Sequence, residues 1–216
     1  MAEIRIMRRV LASNDALASS QLEELDRNNV LSINIMSGPG SGKTSLIERT
    51  IEALGKKCRI YVIEGDIQSN LDAERVAAKG APVTQINTQG ACHLDGMMMA
   101  SVFPQIDFPN VDLLLIENVG NLVCPAEFTL PAHYNVTIVS TAEGSDKPVK
   151  YPLMFTKSDA VIINKIDLLP YVNFDIGELI LAVHKLKPEI PVIQISTKTR
   201  AGMDEWFAWI EEKLAV

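Results

Sequence analysis

Val30-Leu-Ser-Ile-Asn-Ile-Met36 runs directly into Ser37-Gly38-Pro39-Gly40-Ser41-Gly42-Lys43-Thr44-Ser45, and apolar residues at helical spacing follow over 43–54. An apolar run, a loop of small residues and a helix start occur here in the order that a phosphate loop requires. Small side chains let the backbone curl so that successive N–H groups point at phosphate oxygens, and the helix start adds the positive end of its dipole. Lys43 is placed to reach the β and γ phosphates as a mobile point charge, and Thr44 to offer its hydroxyl to Mg²⁺. Gly38, Pro39, Gly40, Ser41, Gly42 and Ser45 complete the expected cradle. The usual pattern G-x4-G-K-S/T has glycine where this chain has Ser37, so Gly38, Gly40 and Gly42 are expected to supply the backbone freedom. A Gly-rich strand–helix turn without a ligand is the bland alternative, and the Gly-Lys-Thr triplet between a strand and a helix argues against it.

Outward from this loop, short apolar runs alternate with helical stretches. Strands are expected at Val30–Met36, Arg59–Ile63, Pro82–Ile86, Val111–Ile116, Tyr134–Val139, Ala160–Asn164 and Pro191–Ile195. Helices are expected over 43–54, 69–79, 93–102, 151–157, 174–187 and 202–214, with a further N-terminal helix around 13–27. Such alternation predicts an α/β fold, a mostly parallel sheet with helices on both faces, of the P-loop NTPase kind. Residues 1–29 read as a helical extension packed on a domain spanning 30–216. Met203, Trp206, Phe207, Ile210 and Leu214 form one stripe expected to pack on the sheet, which makes Trp206 and Trp209 core or rim residues and not a base-stacking platform. His133 and His184 lack ligand-spaced neighbours and read as structural, and Cys58 as a small buried side chain.

Composition narrows the function classes. The chain of 216 residues carries 27 acidic and 20 basic side chains, a net charge of −7, with 47% apolar residues. That is a globular composition, and its acidic balance argues against a nucleic-acid or anionic-membrane surface. No apolar run approaches the roughly 18 residues of a membrane span, and the first 20 residues show no signal-peptide pattern, so the cytoplasm is the expected location. Three cysteines are too few and too odd for a disulfide scaffold.

The sixth expected strand ends in Asn164-Lys165-Ile166-Asp167. A carboxylate here can accept from both guanine N1–H and the 2-amino group, a donor pair that adenine lacks. Following a phosphate loop, this N-K-x-D points to GTP and argues against a P-loop kinase. Ser196-Thr197-Lys198 resembles the S-A-K element of GTPases and is placed to cover the same base with backbone N–H groups. Between these motifs, Leu113-Leu-Leu-Ile-Glu117-Asn-Val-Gly120 delivers a carboxylate at a strand end, fitting a Mg²⁺-water site, and Gly120 can offer its N–H to the γ-phosphate. Ile63-Glu-Gly-Asp66 ends the second strand, and Asp66 is a candidate for the metal shell or for switch closure. Asp72 either orients attacking water or caps its own helix against Ser69.

Nucleotide binding leaves two stretches unexplained: Gly90-Ala-Cys92-His93-Leu-Asp95 and Gly120-Asn-Leu-Val-Cys124-Pro125. Thiolate and imidazole suit Zn²⁺ and Ni²⁺ alike. At an expected helix start, the adjacent Cys and His predict a depressed thiol pKa; core packing of Cys92 is the alternative. Cys92, His93 and Cys124 make three ligands where a closed zinc site takes four. Such a site is either open for transfer or completed by a second subunit. Cys124 also lies four residues after Gly120, on the segment that moves when a γ-phosphate leaves, so nucleotide state is expected to alter metal affinity. Met97, Met98 and Met99 read as core filling.

These residues resemble the HypB family, GTPase accessory proteins for nickel insertion into NiFe-hydrogenase. The resemblance covers nearly the whole chain and rests on Cys92-His93-Leu94-Asp95, on Glu117-Asn-Val-Gly-Asn-Leu-Val-Cys-Pro125 and on Glu143-Gly-Ser-Asp-Lys-Pro-Val-Lys-Tyr-Pro152. It implies a Ni²⁺ or Zn²⁺ site at Cys92, His93 and Cys124, and a nucleotide site at the phosphate loop, Asp66, Asp72, Glu117 and Asn164–Asp167. It further implies a GTP-promoted homodimer, with Lys147 reaching nucleotide or partner subunit, and two partners: a HypA-type zinc/nickel protein and the hydrogenase large-subunit precursor. The chain departs from the family at Ser145 and Gly96, and has no cysteine-rich or histidine-rich stretch in its first 40 residues. The C-P-H motif of the related urease accessory GTPase is also absent. The expectation is slow GTP hydrolysis driving a metallochaperone switch, since no arginine finger is evident. A metal-carrying dimer with incidental hydrolysis is the competing reading.

Overall fold

The computed structural model describes residues 2–67 and 70–215, with side chains from residue 11 onward. Helix α1 spans Ala2–Arg27, strand β1 Leu31–Ser37, helix α2 Lys43–Leu54, β2 Ile60–Asp66, α3 Leu71–Ala77 and β3 Val83–Asn87. Then come α4 (Gly96–Val102), β4 (Leu113–Glu117), β5 (Tyr134–Ser140), α5 (Lys147–Lys150), α6 (Pro152–Lys157), β6 (Ala160–Asn164), α7 (Ile176–Leu186), β7 (Val192–Gln194) and α8 (Met203–Leu214). The sheet order is β3-β2-β4-β1-β5-β6-β7, and every paired neighbour is parallel.

Period-two alternation sorts each central strand between two cores. On β4, Leu113 and Leu115 face the core under α2, α3 and α8, whereas Leu114 and Ile116 face the core under α1 and α4. A third cluster lies under α6 and α7. Each fully buried Leu or Ile contributes about 1.5–3 kcal/mol of transfer free energy, so a doubly covered strand is held far more firmly than an edge such as β7. Met203, Trp206 and Ile210 of the α8 stripe are buried in the first core, with Phe207, Trp209 and Leu214 partly buried against it. Trp206 Nε1 donates to Thr50 Oγ1 at 2.9 Å, which fixes α8 on α2.

Parallel strands present all their carboxyl ends at one edge, and a ligand crevice opens where the order of connections reverses, here around β1. The phosphate loop follows β1, Glu64 and Asp66 close β2, Glu117 closes β4, and Asn164 closes β6. In register, Glu64 stands beside Glu117 and Ser140 beside Asn164.

Several boundaries differ from the sequence reading. α1 continues back to Ala2. The helix expected at 93–102 begins at Gly96, because the Asp95 carboxylate caps it by accepting from Met98 N at 2.8 Å. The helix expected at 69–79 spans only Leu71–Ala77, and the proposed cap Ser69 lies outside the described residues. Of the three consecutive methionines, Met99 is fully buried but Met97 is 71% exposed, so core filling fails for Met97. Cys58 is only half-buried. His133 bonds Ser32 and Asp26, and His184 bonds Ile190 O, as structural histidines do. Among the described residues, no helix is long and apolar enough to cross a membrane.

Candidate nucleotide and metal sites

Gly40 and Gly42 carry the positive φ values of the loop, 74° and 104°, which is where glycine is required. Ser37 adopts no such conformation, so the side chain there costs nothing. Its hydroxyl, fully buried, donates to Gly38 O at 2.7 Å and accepts from Lys43 Nζ at 3.3 Å. The Glu143 carboxylate pins the front of the loop by accepting from Ser41 Oγ at 3.0 Å. Gly120 approaches so closely that a Cβ there would lie 2.9 Å from Pro39 Cα, so the turn after β4 touches the loop directly. Ser45 Oγ lies 3.3 Å from Arg75 Nη2 on α3.

Behind the loop, Asn164 ties three segments together. Its Nδ2 donates to Ser41 O at 2.9 Å, and its Oδ1 accepts from Lys165 N at 2.7 Å and Thr197 N at 3.2 Å. Lys165 adopts a φ of 63° and donates from Nζ to Gly40 O at 2.7 Å. Asp167 Oδ1 accepts from Ser196 Oγ at 2.6 Å. Ser196 N and Thr197 N are engaged by Ala201 O and Asn164 Oδ1, so these two N–H groups are not offered to a base; Lys198 follows them on the same turn.

The expected Mg²⁺ side holds one carboxylate more than the sequence reading assigned. Thr44 Oγ1 donates to Glu117 Oε1 at 2.8 Å. Glu64, which stands beside Glu117 in register, is also buried, and Oε2 of each lacks a hydrogen-bond partner. Burial, followed by repulsion from Glu117, pushes the Glu64 carboxyl up to about 8. Burial likewise pushes Glu117 up to about 7, against the attraction of Lys43. Buried oxygens without partners, next to a threonine hydroxyl, fit a hard divalent cation such as Mg²⁺. Asp66 sits half-buried at the end of β2, its Oδ1 accepting from Ile67 N at 2.6 Å. Asp72 is paired with Arg75 at 2.8 Å and lies close enough to Glu117 to raise its pKa.

Cys92, His93 and Cys124 come together: one potential ligand atom from each lies within 4.8 Å of the others. Cys92 Sγ donates to Cys124 Sγ at 2.9 Å. That hydrogen bond and burial push the Cys124 thiol up, and the Cys-His pair lies in a short loop ahead of α4 and does not open the helix. The His93 ring stacks on Phe128 with centroids 3.7 Å apart, and its Nδ1 is buried without a partner. Burial holds this imidazole below its usual pKa, in the neutral form that ligates. Two soft sulfurs and an orphaned imidazole nitrogen fit Ni²⁺ or Zn²⁺.

Helix α1 joins the two halves of this triad. Asn14 Nδ2 donates to Thr129 O at 2.9 Å, and its Oδ1 accepts from Gly96 N at 2.7 Å. Gln21 Nε2 donates to Gly96 O at 2.9 Å. Lys147 opens α5 beside the phosphate loop and donates from Nζ to Glu143 O at 2.5 Å. It lines an open groove of about 410 Å³ together with Gly38, Pro39, Gly120 and Tyr151.

The sheet, the strand–loop–helix turn and the carboxyl-edge constellation define a P-loop nucleotide-binding protein. The family model described as the CobW/HypB/UreG nucleotide-binding domain matches residues 32–194. The hydrogenase maturation factor HypB of Azotobacter vinelandii is 45% identical over 97% of this chain and 69% of its own length. The hydrogenase/urease maturation factor HypB of Helicobacter pylori (strain J99) is 38% identical over 98% of this chain and 88% of its own. The crystal structure of HypB from Helicobacter pylori in complex with nickel superposes with a TM-score of 0.90 at 38% identity, covering 94% of this chain and 95% of that one. The chain therefore belongs to the HypB family of P-loop GTPases.

Proposed function

We propose that this protein is a GTP-hydrolysing metallochaperone that assists nickel insertion into NiFe-hydrogenase, with hydrolysis resetting its hold on the metal. The observation that carries this reading is the segment Gly120–Cys124, which touches the phosphate loop at one end and supplies a metal ligand at the other. The nickel complex of the Helicobacter pylori relative supports nickel as the cargo.

Lys43 carries positive charge to the β and γ phosphates, and the N–H groups of Gly40–Ser45 surround them. Gly120 N–H meets the γ-phosphate, so its loss on hydrolysis frees the turn. Thr44, Glu117 and Glu64, with Asp66 at the strand end, would hold Mg²⁺, which would supply neutralisation of charge on the phosphate oxygens. Asp72 orients the attacking water once its pairing with Arg75 opens. Asp167 selects guanine, with Lys198 N–H covering the base. Cys92, His93 and Cys124 hold Ni²⁺ or Zn²⁺ through two sulfurs and one nitrogen. This leaves a coordination position for a ligand from a second subunit or a receiving protein.

The reading extends to a GTP-promoted homodimer working in the cytoplasm, with Lys147 at the subunit contact. A HypA-type zinc/nickel protein and the hydrogenase large-subunit precursor are the partners, and no nucleic acid or membrane is involved. Residues 1–29 are the N-terminal extension, which reaches the metal-bearing loops through Asn14 and Gln21, and 30–216 the GTPase domain. Phosphate release from GTP and ATP, recorded with light-scattering mass, tests the reading. We expect slow turnover specific for GTP, and a doubled mass with a non-hydrolysable analogue. Equal use of ATP, or metal delivery by Lys43→Ala as fast as wild type, overturns it in favour of a passive metal carrier.

A further inference from the structure

Leu94, the residue after His93, is gripped from two nucleotide-facing strand ends. Its N–H donates to Asn118 Oδ1 at 3.2 Å, and the same oxygen accepts from Val119 N at 2.9 Å. Asn118 is fully buried. Its Nδ2 donates to Asn34 Oδ1 at 3.2 Å, and Asn34 Nδ2 donates to Asn135 Oδ1 at 2.9 Å, so the side chain is anchored on β1 and β5. The Leu94 side chain is fully buried against Gly65, where a Cβ would lie 2.7–2.8 Å from the Leu94 side-chain carbons. Gly65 stands between Glu64 and Asp66, and Asn118 between Glu117 and the turn to Gly120.

One carbonyl oxygen thus holds both the turn that must follow a γ-phosphate and the loop that carries two metal ligands. When Gly120 moves, Val119 N moves with it, and the Asn118 amide is pulled between Val119 and Asn34. The shared oxygen then either loses Val119 or rotates, and rotation shifts Leu94 with His93 and Cys92. Metal–ligand distances are held within about 0.2 Å of set values, so a small shift at Leu94 disturbs the geometry that the two ligands beside it present.

We infer that Asn118 is a positioning residue that couples nucleotide state to metal affinity through Leu94. This rests on the proposed GTP switch, and it competes with a direct route in which Cys124 alone is carried along with Gly120. The test is a nickel titration of the full chain, read by thiolate-to-nickel charge-transfer absorbance, in GDP and in a non-hydrolysable GTP analogue. Wild type is expected to show an affinity ratio of at least about fivefold between the two states, the low end of ordinary coupling. Asn118→Ala is expected to bring that ratio to within about twofold of unity while keeping nickel affinity in GDP within about threefold of wild type. Leu94→Ala, which keeps the N–H link and loses the grip on Gly65, gives an intermediate ratio, and decides the matter if Asn118→Ala fails to fold. A wild-type ratio retained in whichever variant folds overturns the link and leaves the direct route. A wild type with no ratio overturns the switch reading itself, and the link with it.

Discussion

The nucleotide loop and the metal triad share one edge of the sheet and are built in opposite ways. The loop is contiguous and tied down by side chains from neighbouring segments. Asn164 holds Ser41 and Thr197, Lys165 holds Gly40, and Glu143 holds Ser41. The triad draws its proposed ligands from two segments 32 residues apart, outside any strand or α-helix. What aligns those segments is remote: Asn14 on α1 and Asn118 beyond β4. A rigid cradle suits phosphates whose reaction depends on fixed donors. A triad held by a few long-range hydrogen bonds suits a cargo that must later be released.

The sharpest way to break this comparison is to disable each site and read the other. Lys43→Ala should lower GTP hydrolysis by roughly 10²–10³-fold and leave nickel affinity in the nucleotide-free chain unchanged, checked by phosphate release and metal titration. Cys124→Ala should lower nickel affinity by more than about tenfold while GDP affinity holds. Asp167→Asn acts within the cradle. Losing charge-assisted hydrogen bonds worth about 1.5–3 kcal/mol should weaken GDP binding by roughly ten- to a hundredfold, measured by calorimetry, with nickel affinity untouched.

A smaller effect comes from the paired carboxyls. Glu64 and Glu117 titrate near about 8 and about 7 in the folded chain, against 4.5 ordinarily. The folded state therefore binds more protons than the unfolded one between about pH 4.5 and about pH 8. Stability of the magnesium-free, nucleotide-free chain then falls as pH rises through that window and levels off above it. A drop in Tm of at least roughly 5 °C is expected across it, and Glu64→Gln should about halve the slope below about pH 7 and remove it between about 7 and about 8. A pH-independent Tm would mean that the two carboxyls are hydrated in solution.

What was legible in the sequence follows the same division. The parallel sheet and phosphate loop were readable because apolar period and loop chemistry are local signals. The triad was readable as a set of residue types, but its surroundings were not. Asp95 could have been recognised as the helix cap from its residue type, which would have kept Cys92 and His93 off the helix start. Glu64 lies two residues before Asp66 on a strand, hence on the same face, and that alternation was the signal for a second buried carboxylate. Asn14 gave no local signal, since its partners Gly96 and Thr129 lie 82 and 115 residues away. Asn118 was equally silent, its bonds to Leu94 and Asn34 spanning 24 and 84 residues.

Nickel titration of wild type and Cys92→Ala, each in GDP and in a non-hydrolysable GTP analogue, addresses the metallochaperone switch most directly. The structure predicts one strong site in wild type whose affinity differs at least about fivefold between the nucleotides, and loss of that site in Cys92→Ala. Equal affinity in both states, or an undiminished site in Cys92→Ala, would contradict it and leave a GTPase whose cargo lies elsewhere.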